Sequence, residues 1–278
     1  MRIGEKANLE LQEKIRPYFL QRLKIDFLAD MLPTKQDFVV WTHLSKRQRS
    51  LYSGYVDSGD SAVAHVLSGI STSPLEAVTW LKKLCGHPRL VEKNGQGSLE
   101  SLDNIDPTEL KKQSSKLEVL DRLVERLRKR GHRTLIFSQS TKMLDIIERV
   151  LHRVNLSRIN GSTKEKDRQS RVDTFNSPHA NVEVMLLSTK AAGVGLTLTG
   201  ADRSIMYNPS WNPAEDSQAV DRCYRIGQTK EVTMFRFITA GSVEEKVRNQ
   251  EMTTFIFECA SYLTKSVLLH KSKVLCWL

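Results

Sequence analysis

The sequence predicts an α/β fold in which a parallel sheet is covered by helices on both faces. Between residues 116 and 240, short runs of consecutive apolar residues, such as 134–137 and 182–187, suit buried strands. They alternate with stretches in which apolar residues recur at helical spacing. Strands that alternate with helices are joined by right-handed crossovers and form a parallel sheet. Such sheets bind ligands at the carboxyl ends of their strands, so we expect the chemistry in the loops after Leu187 and Tyr207.

The elements of this region can be predicted from local signals. Asn212, Pro213 and Glu215 suit the N-cap, first and third positions of a helix, and Ser162 and Glu165 form a capping box. The predicted order is a helix over 117–127 stopping near Gly131, a strand at 134–137, a helix over 144–154, a helix from the capping box to about Phe175, strands at 182–187 and 204–207, a helix from Asn212 through Ile226, a strand at 232–238 and a helix capped by Ser242.

Two further regions flank this α/β pattern. Residues 1–93 have a discontinuous, helical pattern, and residues 94–115 are rich in Gly, Ser, Asn, Asp and Pro, which is typical of a linker. The expected division is therefore a helical part with its linker at 1–115, an α/β domain at 116–248 and a tail at 249–278.

The charge balance favours a polyanionic partner. The net charge is +10 and the isoelectric point about 9.5, and 40% hydrophobic residues are enough for a buried core. The longest apolar-leaning stretch, 255–270, is interrupted by Glu258 and Lys265 and is shorter than the ~20 residues of a membrane span, so no membrane partner is expected. The four cysteines are widely separated and have no zinc-ligand spacing, so no metal site is predicted.

Two runs of basic residues have different interpretations. The first is interpreted as a solvated helix face, and the second, beside a candidate DNA loop, as a DNA-binding surface. The first run is Arg122, Arg126, Arg128, Lys129, Arg130 and Arg133; the second is Lys164, Lys166, Arg168 and Arg171.

Gln218, Arg222 and Arg225 are spaced i, i+4 and i+7, which places them on one stripe of the predicted helix. Guanidinium groups match phosphate oxygens and stay charged, so one interpretation is a set of arginine fingers that stabilise a transferring γ-phosphoryl group. The alternative is a solvated, salt-bridged surface helix, and the spacing alone favours that alternative.

The loop Ser188–Gly195 directly follows a predicted strand. Gly193 and Gly195 would let the backbone approach a phosphate and expose amide N–H groups. A tight turn that binds nothing is an equally good interpretation of two glycines.

A long ordered run makes these pieces specific. Residues 188–228 resemble motifs V and VI of the Swi/Snf family of helicase-like DNA translocases. The matching positions are Trp211-Asn-Pro213, Asp216, Gln218 and Arg222-x-x-Arg225-Ile-Gly-Gln228; similar matches occur at 134–139, at 159–163 with Arg168, at 81–89 and at 17–22. The resemblance covers about residues 9–248 and is closest to the Cockayne-syndrome-B-like and mitotic-translocase branch. It implies a second RecA-like lobe, preceded by the end of a first lobe and a helical protrusion.

The resemblance also implies roles for individual residues, with ATP and Mg2+ as cofactors, double-stranded DNA and nucleosomes as candidate partners, and the nucleus as the location. Arg222, Arg225 and Gln218 would be catalytic, and Gly193, Gly195 and Asp221 would lie near ATP. The residues implied in DNA binding are Ser138, Gln139, Gly161, Ser162, Thr163, Lys164, Arg168, Thr189 and Trp211.

The sequence departs from the family pattern in two places. It contains no Gly-x-x-x-x-Gly-Lys-Ser/Thr loop and no Asp-Glu box, which belong to the first lobe and hold ATP and magnesium. We therefore expect no ATPase activity from this polypeptide alone. Residues 255–278 also do not resemble the family's bracing helix. A non-catalytic splice product that binds DNA or a partner is the alternative, whereas the 211–213 and 225–228 segments argue against an RNA helicase.

Overall fold

The computed structural model describes residues 3–18, 32–57, 74–91, 105–193, 195–210 and 212–248, together with the backbone of 273–276. Trp211 lies outside the described residues, and so does the tail at 249–278 apart from 273–276. None of the helices in these ranges has the length and apolar character needed to cross a bilayer.

The centre of the molecule is a parallel sheet in the order β3-β4-β2-β5-β6-β1-β7, in which every neighbouring pair is parallel. The strands are β1 (Lys35–Thr42), β2 (Thr134–Ser138), β3 (Leu156–Ile159), β4 (Val184–Ser188), β5 (Arg203–Met206), β6 (Val232–Thr239) and β7 (Lys273–Cys276). The predicted parallel α/β sheet is confirmed.

Nine described helices surround or precede the sheet, and a short helical turn at 243–248 follows it. They are α1 (Ile3–Ile15), α2 (Lys46–Asp57), α3 (Pro74–Gly86), α4 (Pro107–Gln113), α5 (Ser115–Lys129), α6 (Thr141–Val150), α7 (Glu165–Asn176), α8 (Thr189–Ala192) and α9 (Pro213–Val220), with 3-10 turns at Arg16–Tyr18 and Pro88–Leu90.

The strands are buried on both faces, which explains their continuous apolar sequences. In β2, Ile136 packs into one core with α4, α5 and α6, whereas Leu135 and Phe137 pack into a second core with α7 and α9. This alternation follows from the two-residue period of a strand. All four residues contributed by β4 to these cores, 184–187, are buried as well.

Three local predictions were wrong. Residues 35–42, within the region expected to be helical, form β1 and pair with β6 from Lys35–Val232 to Thr42–Thr239. The helix from Asn212 ends at Val220 instead of Ile226. The helix at 165 begins without the predicted capping box, since its N-cap, Lys164, makes no side-chain cap bond. The N-cap role of Asn212 is confirmed: its side chain accepts a hydrogen bond from the Ala214 N–H.

Helices α2 and α3 pack on the α/β domain through buried polar groups. The Gln48 amide donates to the carbonyls of Leu84 (2.8 Å) and Cys85 (3.1 Å) at the end of α3. The hydroxyls of Ser114 and Tyr207 both donate to the Gly86 carbonyl, at 2.9 and 3.1 Å. The segment 84–86 is therefore held from both sides by defined hydrogen bonds.

Candidate functional site

The loop after β4 is shaped by its two glycines in different ways. The Ser188 hydroxyl caps α8, and the Gly193 N–H bonds to the carbonyls of Thr189 and Lys190 at 3.2 Å. The Gly193 amide is therefore used inside the turn, which corrects the expectation that it is exposed. Gly195 has φ +70° and an exposed position, a backbone conformation that favours glycine.

Arg222 lies in the turn that follows α9 and connects this turn to the glycine loop. Its side chain is buried, with only 4% of the residue exposed, and Nη2 donates to the Gly193 carbonyl at 3.0 Å. Its own carbonyl accepts from the Leu198 N–H at 2.9 Å. Burial lowers the pKa of Arg222, the Arg225 charge lowers it further, and Asp221 acts in the opposite direction.

Arg225 lies half-buried beside Arg222. Its Nε donates to the Asp221 carbonyl at 3.2 Å, and Nη1 is 3.4 Å from the Thr197 hydroxyl. Asp221 in turn places a carboxylate oxygen 3.8 Å from the Lys35 ammonium. Ile226, next along the chain, is 63% exposed. The two arginines are thus brought together by the end of α9 and the 193–197 loop.

Gln218 lies apart from the two arginines. It is exposed on α9, whereas Arg222 and Arg225 follow the helix end at Val220, so the predicted single helical stripe is wrong.

Gln228 and Asp216 build the local fold, a role that sequence reasoning did not assign to them. The Gln228 amide donates to the carbonyls of Thr199, Ala201 and Cys223 at 3.2, 2.7 and 3.1 Å. The fully buried Asp216 carboxylate accepts from the Ser210 N–H at 3.1 and 3.0 Å. Glu215 and Ser217 flank Asp216, and Gly227 and Thr229 flank Gln228, so no local apolar pattern in the sequence indicated that these side chains are buried.

A second group of candidate residues lies at the carboxyl end of β3. The Asn160 carboxamide oxygen accepts from the Ser162 N–H at 3.2 Å and from the hydroxyls of Ser162 and Thr163 at 2.7 and 3.0 Å. Gly161, Ser162 and Lys164 are exposed at the top of this turn. Arg168 donates from Nη2 to the Thr163 carbonyl at 3.1 Å, so it supports the turn from α7.

An open depression of about 530 Å³ lies beside this turn and has mixed charge. Arg158 donates to Asp145 and Glu148 at 2.5 and 2.8 Å, so both carboxylates are already paired. Lys164, Asp167 and Arg171 also line the depression. The depression therefore carries both basic and acidic groups.

The loops after β3, β4 and β2 meet at one edge, because these strands are neighbours in that order. Gln139 is exposed there, but the Ser138 hydroxyl is fully buried and bonded to the Asn208 side chain at 3.3 Å. Thr189 is also buried, and its hydroxyl has no hydrogen-bond partner among the described residues. The side chains of Ser138 and Thr189 are thus inside the fold, and Trp211 lies outside the described residues.

The basic run of α5 has mainly intramolecular partners. Arg122 pairs with Glu118, and Arg128 and Lys129 both pair with Glu125. Arg128 also lies 3.7 Å from Glu183. The interpretation of this run as a solvated helix face agrees with these pairs for the residues of α5, but it is wrong for Arg133, which lies beyond the helix and donates to backbone carbonyls. Within the described part of the chain, no three side chains with metal-ligating groups come together.

Comparison with known proteins identifies the family to which this chain belongs. The helicase conserved C-terminal domain matches residues 115–227. The chain contains a Swi/Snf-type helicase C-terminal lobe. The DNA excision repair protein ERCC-6-like of Danio rerio is 37% identical over 90% of the chain, and Protein CHROMATIN REMODELING 24 of Arabidopsis thaliana is 39% identical over 90%. The DNA repair and recombination protein RAD26 of Saccharomyces cerevisiae is 37% identical, also over 90%.

The structural comparison gives the same family and the RecA-like fold. The C-terminal part of the Fun30 ATPase domain superposes with a TM-score of 0.68 at 26% identity, covering 78% of this chain and 88% of that one. This chain spans only 20% of the Danio rerio relative, 25% of the Arabidopsis thaliana relative and 22% of the yeast relative.

Proposed function

We propose that this chain supplies the second motor lobe of an ATP-dependent double-stranded-DNA translocase that acts in DNA repair or chromatin remodelling in the nucleus. The observation that carries the proposal is the convergence of Arg222 and Arg225 on the 193–197 loop. Two guanidinium groups held within one turn, beside an exposed apolar residue, suit a surface that closes on a nucleotide bound elsewhere.

In the proposed arrangement, the first lobe holds ATP and Mg2+, and this lobe supplies Arg225 to the transferring phosphoryl group. Arg225 is the more exposed of the two arginines, so it would contact the phosphate directly. The more deeply buried Arg222 is committed to the Gly193 carbonyl and would fix the loop at Gly195 and Asp221 near the nucleotide. Residues 1–115 would comprise the end of the first lobe, the protrusion and the linker.

The proposed DNA surface is the edge at which β3, β4 and β2 end. Exposed hydroxyl, amide and ammonium groups of Gln139, Ser162 and Lys164 lie there, with the backbone of Gly161 accessible between them. Such groups suit contacts to the phosphate backbone, which carry no sequence information. Binding to this surface would therefore be independent of base sequence and would weaken with salt.

The DNA proposal is tested by removing three charges at this edge. We expect the triple variant Lys164→Ala, Lys166→Ala and Arg168→Ala to reduce the slope of log affinity against log salt by roughly 2 to 3. The control neutralises Arg122, Arg126 and Lys129 on α5, which removes the same net charge away from this edge. Fluorescence anisotropy with one duplex at several salt concentrations measures both. Equal effects of the two triple variants would remove this edge from the DNA-binding surface.

The ATP proposal is tested by steady-state phosphate release with Mg2+, ATP and saturating double-stranded DNA. We expect no turnover above the blank from this chain alone, because the phosphate-binding loop and the metal-binding carboxylates are not in its sequence. Robust turnover would contradict the proposed need for a first lobe. The competing function is a non-catalytic module that binds DNA or a partner. A sequence without the phosphate-binding loop and the metal-binding carboxylates agrees equally well with that function. It would be supported if adding a separately purified first lobe produced no DNA-stimulated turnover.

A further inference from the structure

The loop Tyr207–Ser210 joins β5 to α9 and is tied to other parts of the molecule at each residue. The Tyr207 hydroxyl donates to the Gly86 carbonyl at 3.1 Å, and the Asn208 carboxamide oxygen accepts from the Ser138 hydroxyl at 3.3 Å. The Ser210 N–H binds the Asp216 carboxylate. Because the loop leads directly to the N-cap of α9, its position determines where that helix begins.

Two buried lysines hold the carbonyl groups of the same loop. Lys82 of α3 is 7% exposed, and its Nζ donates to the Pro209 carbonyl at 2.9 Å. Lys116 of α5 is 1% exposed, and its Nζ lies 3.3 Å from the Tyr207 carbonyl and 2.6 Å from Glu244. Lysine is almost never fully buried unless its charge has a partner, so each ammonium fixes the oxygen that it contacts.

We propose that Lys82 is a positioning residue that couples α3 to α9 through the Pro209 carbonyl. α3 precedes the α/β domain, whereas the turn that follows α9 carries Asp221, Arg222 and Arg225. A change in the position of α3 would therefore be transmitted to the arginine-bearing turn. The use of this coupling in a motor rests on the proposed function, but the coupling itself is a property of this chain.

The structure separates this role from simple anchoring of α3. α3 is held independently of Lys82 by Gln48, which binds the carbonyls of Leu84 and Cys85, and by Ser114, which binds the carbonyl of Gly86. Loss of the Lys82 ammonium should thus loosen the loop at Pro209 and Ser210, while α3 and Tyr207 keep their own hydrogen bonds. An anchoring residue would give the opposite pattern, with α3 released first.

Native-state amide hydrogen exchange on Lys82→Met tests the proposal. We expect exchange at residues 210–216 to accelerate about tenfold, since a charge-assisted hydrogen bond is lost, while α3 and β4 stay protected. The matched control is Lys83→Met, which removes the neighbouring charge from the exposed face of the same helix. It should leave exchange at 210–216 unchanged.

Unchanged exchange at 210–216 in K82M, or acceleration that is uniform across the chain, would overturn the proposal. If K82M lowers the yield of folded protein, K82R provides the second variant, because it keeps a cation at this position. Protection of 210–216 that is stronger in K82R than in K82M is the expected result, and equal loss in both would refute the coupling. No nucleotide or DNA is present in this experiment, so its failure is distinguishable from failure of the proposed ATP or DNA function.

Discussion

Helix α5 carries basic residues in two contrasting environments. Lys116, in its first turn, is 1% exposed and contacts both a carboxylate and a backbone carbonyl, whereas the Arg122 side chain is 71% exposed and pairs with Glu118 one turn earlier. The buried ammonium joins parts of the chain that are 128 residues apart, whereas the surface pair joins one helical turn to the next. The comparison shows that basic residues in one helix can have unrelated roles.

Arg133 extends the contrast beyond α5. It belongs to the same basic run in the sequence, yet its guanidinium donates to the carbonyls of Phe175, Ser177 and Ala180 at 2.8, 2.9 and 2.7 Å. It therefore fixes the turn after α7 instead of serving as a surface charge. Counting basic residues along the sequence overestimates the charge that is free to meet a polyanion.

The largest expected effect comes from breaking the buried pair. Lys116→Met removes the ammonium and leaves the fully buried Glu244 carboxylate with only the Thr239 N–H at 2.9 Å as a close donor in the described residues. We expect the free energy of unfolding to fall by about 3–5 kcal/mol, because an uncompensated buried charge remains. Urea unfolding followed by circular dichroism measures the change.

The control for this prediction removes the second charge as well. Lys116→Met combined with Glu244→Leu should recover most of the loss, since a buried pair can often be replaced by apolar residues at little cost. A double variant as unstable as K116M alone would show that lost packing, rather than the unpaired carboxylate, causes the effect.

His87 is a buried base for which the described residues show no anionic partner, and it sharpens the comparison. Burial lowers the pKa of His87 to about 4; the Leu110 carbonyl, which accepts from Nε2, acts in the opposite direction, and Arg89 and Arg47 lower it further. Nδ1 accepts the Arg89 N–H at 3.2 Å, so protonation of Nδ1 would also break that bond. Burial thus favours the neutral form of His87, whereas the buried Lys116 ammonium lies 2.6 Å from the Glu244 carboxylate.

This difference predicts a pH dependence of stability. The folded-state pKa of His87 lies below its unfolded value, so its contribution is complete above pH 6.5 and is lost as the pH falls from 6.5 to about 4. The loss should be about 3 kcal/mol, at 1.36 kcal/mol per pKa unit. His87→Gln cannot titrate, so its stability deficit relative to the wild-type chain should shrink over this range. A deficit that is the same at pH 7 and pH 4.5 would contradict the assignment.

The sequence was sufficient for features that depend on near neighbours. Strands β2 and β4 could be predicted because a strand buried on both faces needs a continuous apolar run, and the Asn212 cap because its bond reaches only two residues along the chain. The Ser162 capping box failed for a local reason that competed with it. The Ser162 and Thr163 hydroxyls donate to Asn160, and Thr163 Oγ1 accepts the Asn160 N–H, so these residues close a turn before the helix and Lys164 becomes the N-cap.

Features that depend on distant partners could not be predicted. β1 is recognisable as a strand mainly by its pairing with β6, which follows it by almost 200 residues and is invisible in a local window. Helical spacing continues through Arg222 and Arg225, but the turn after Val220 lets Arg222 reach Gly193. In the candidate site, the residue types could therefore be chosen from the sequence, whereas the exposure of Ser138 and Thr189 could not.

The smallest expected effect concerns the exposed Arg122–Glu118 pair, in contrast to the buried Lys116–Glu244 pair. Arg122→Ala should change the free energy of unfolding by less than about 0.5 kcal/mol, because water screens an exposed pair and holding two long side chains costs entropy. A double-mutant cycle with Glu118→Ala, measured by urea unfolding at low and high salt, isolates the interaction, which should weaken at high salt. A coupling energy above about 1 kcal/mol, on the scale of buried pairs, would remove the distinction between the buried and the exposed ion pair of α5.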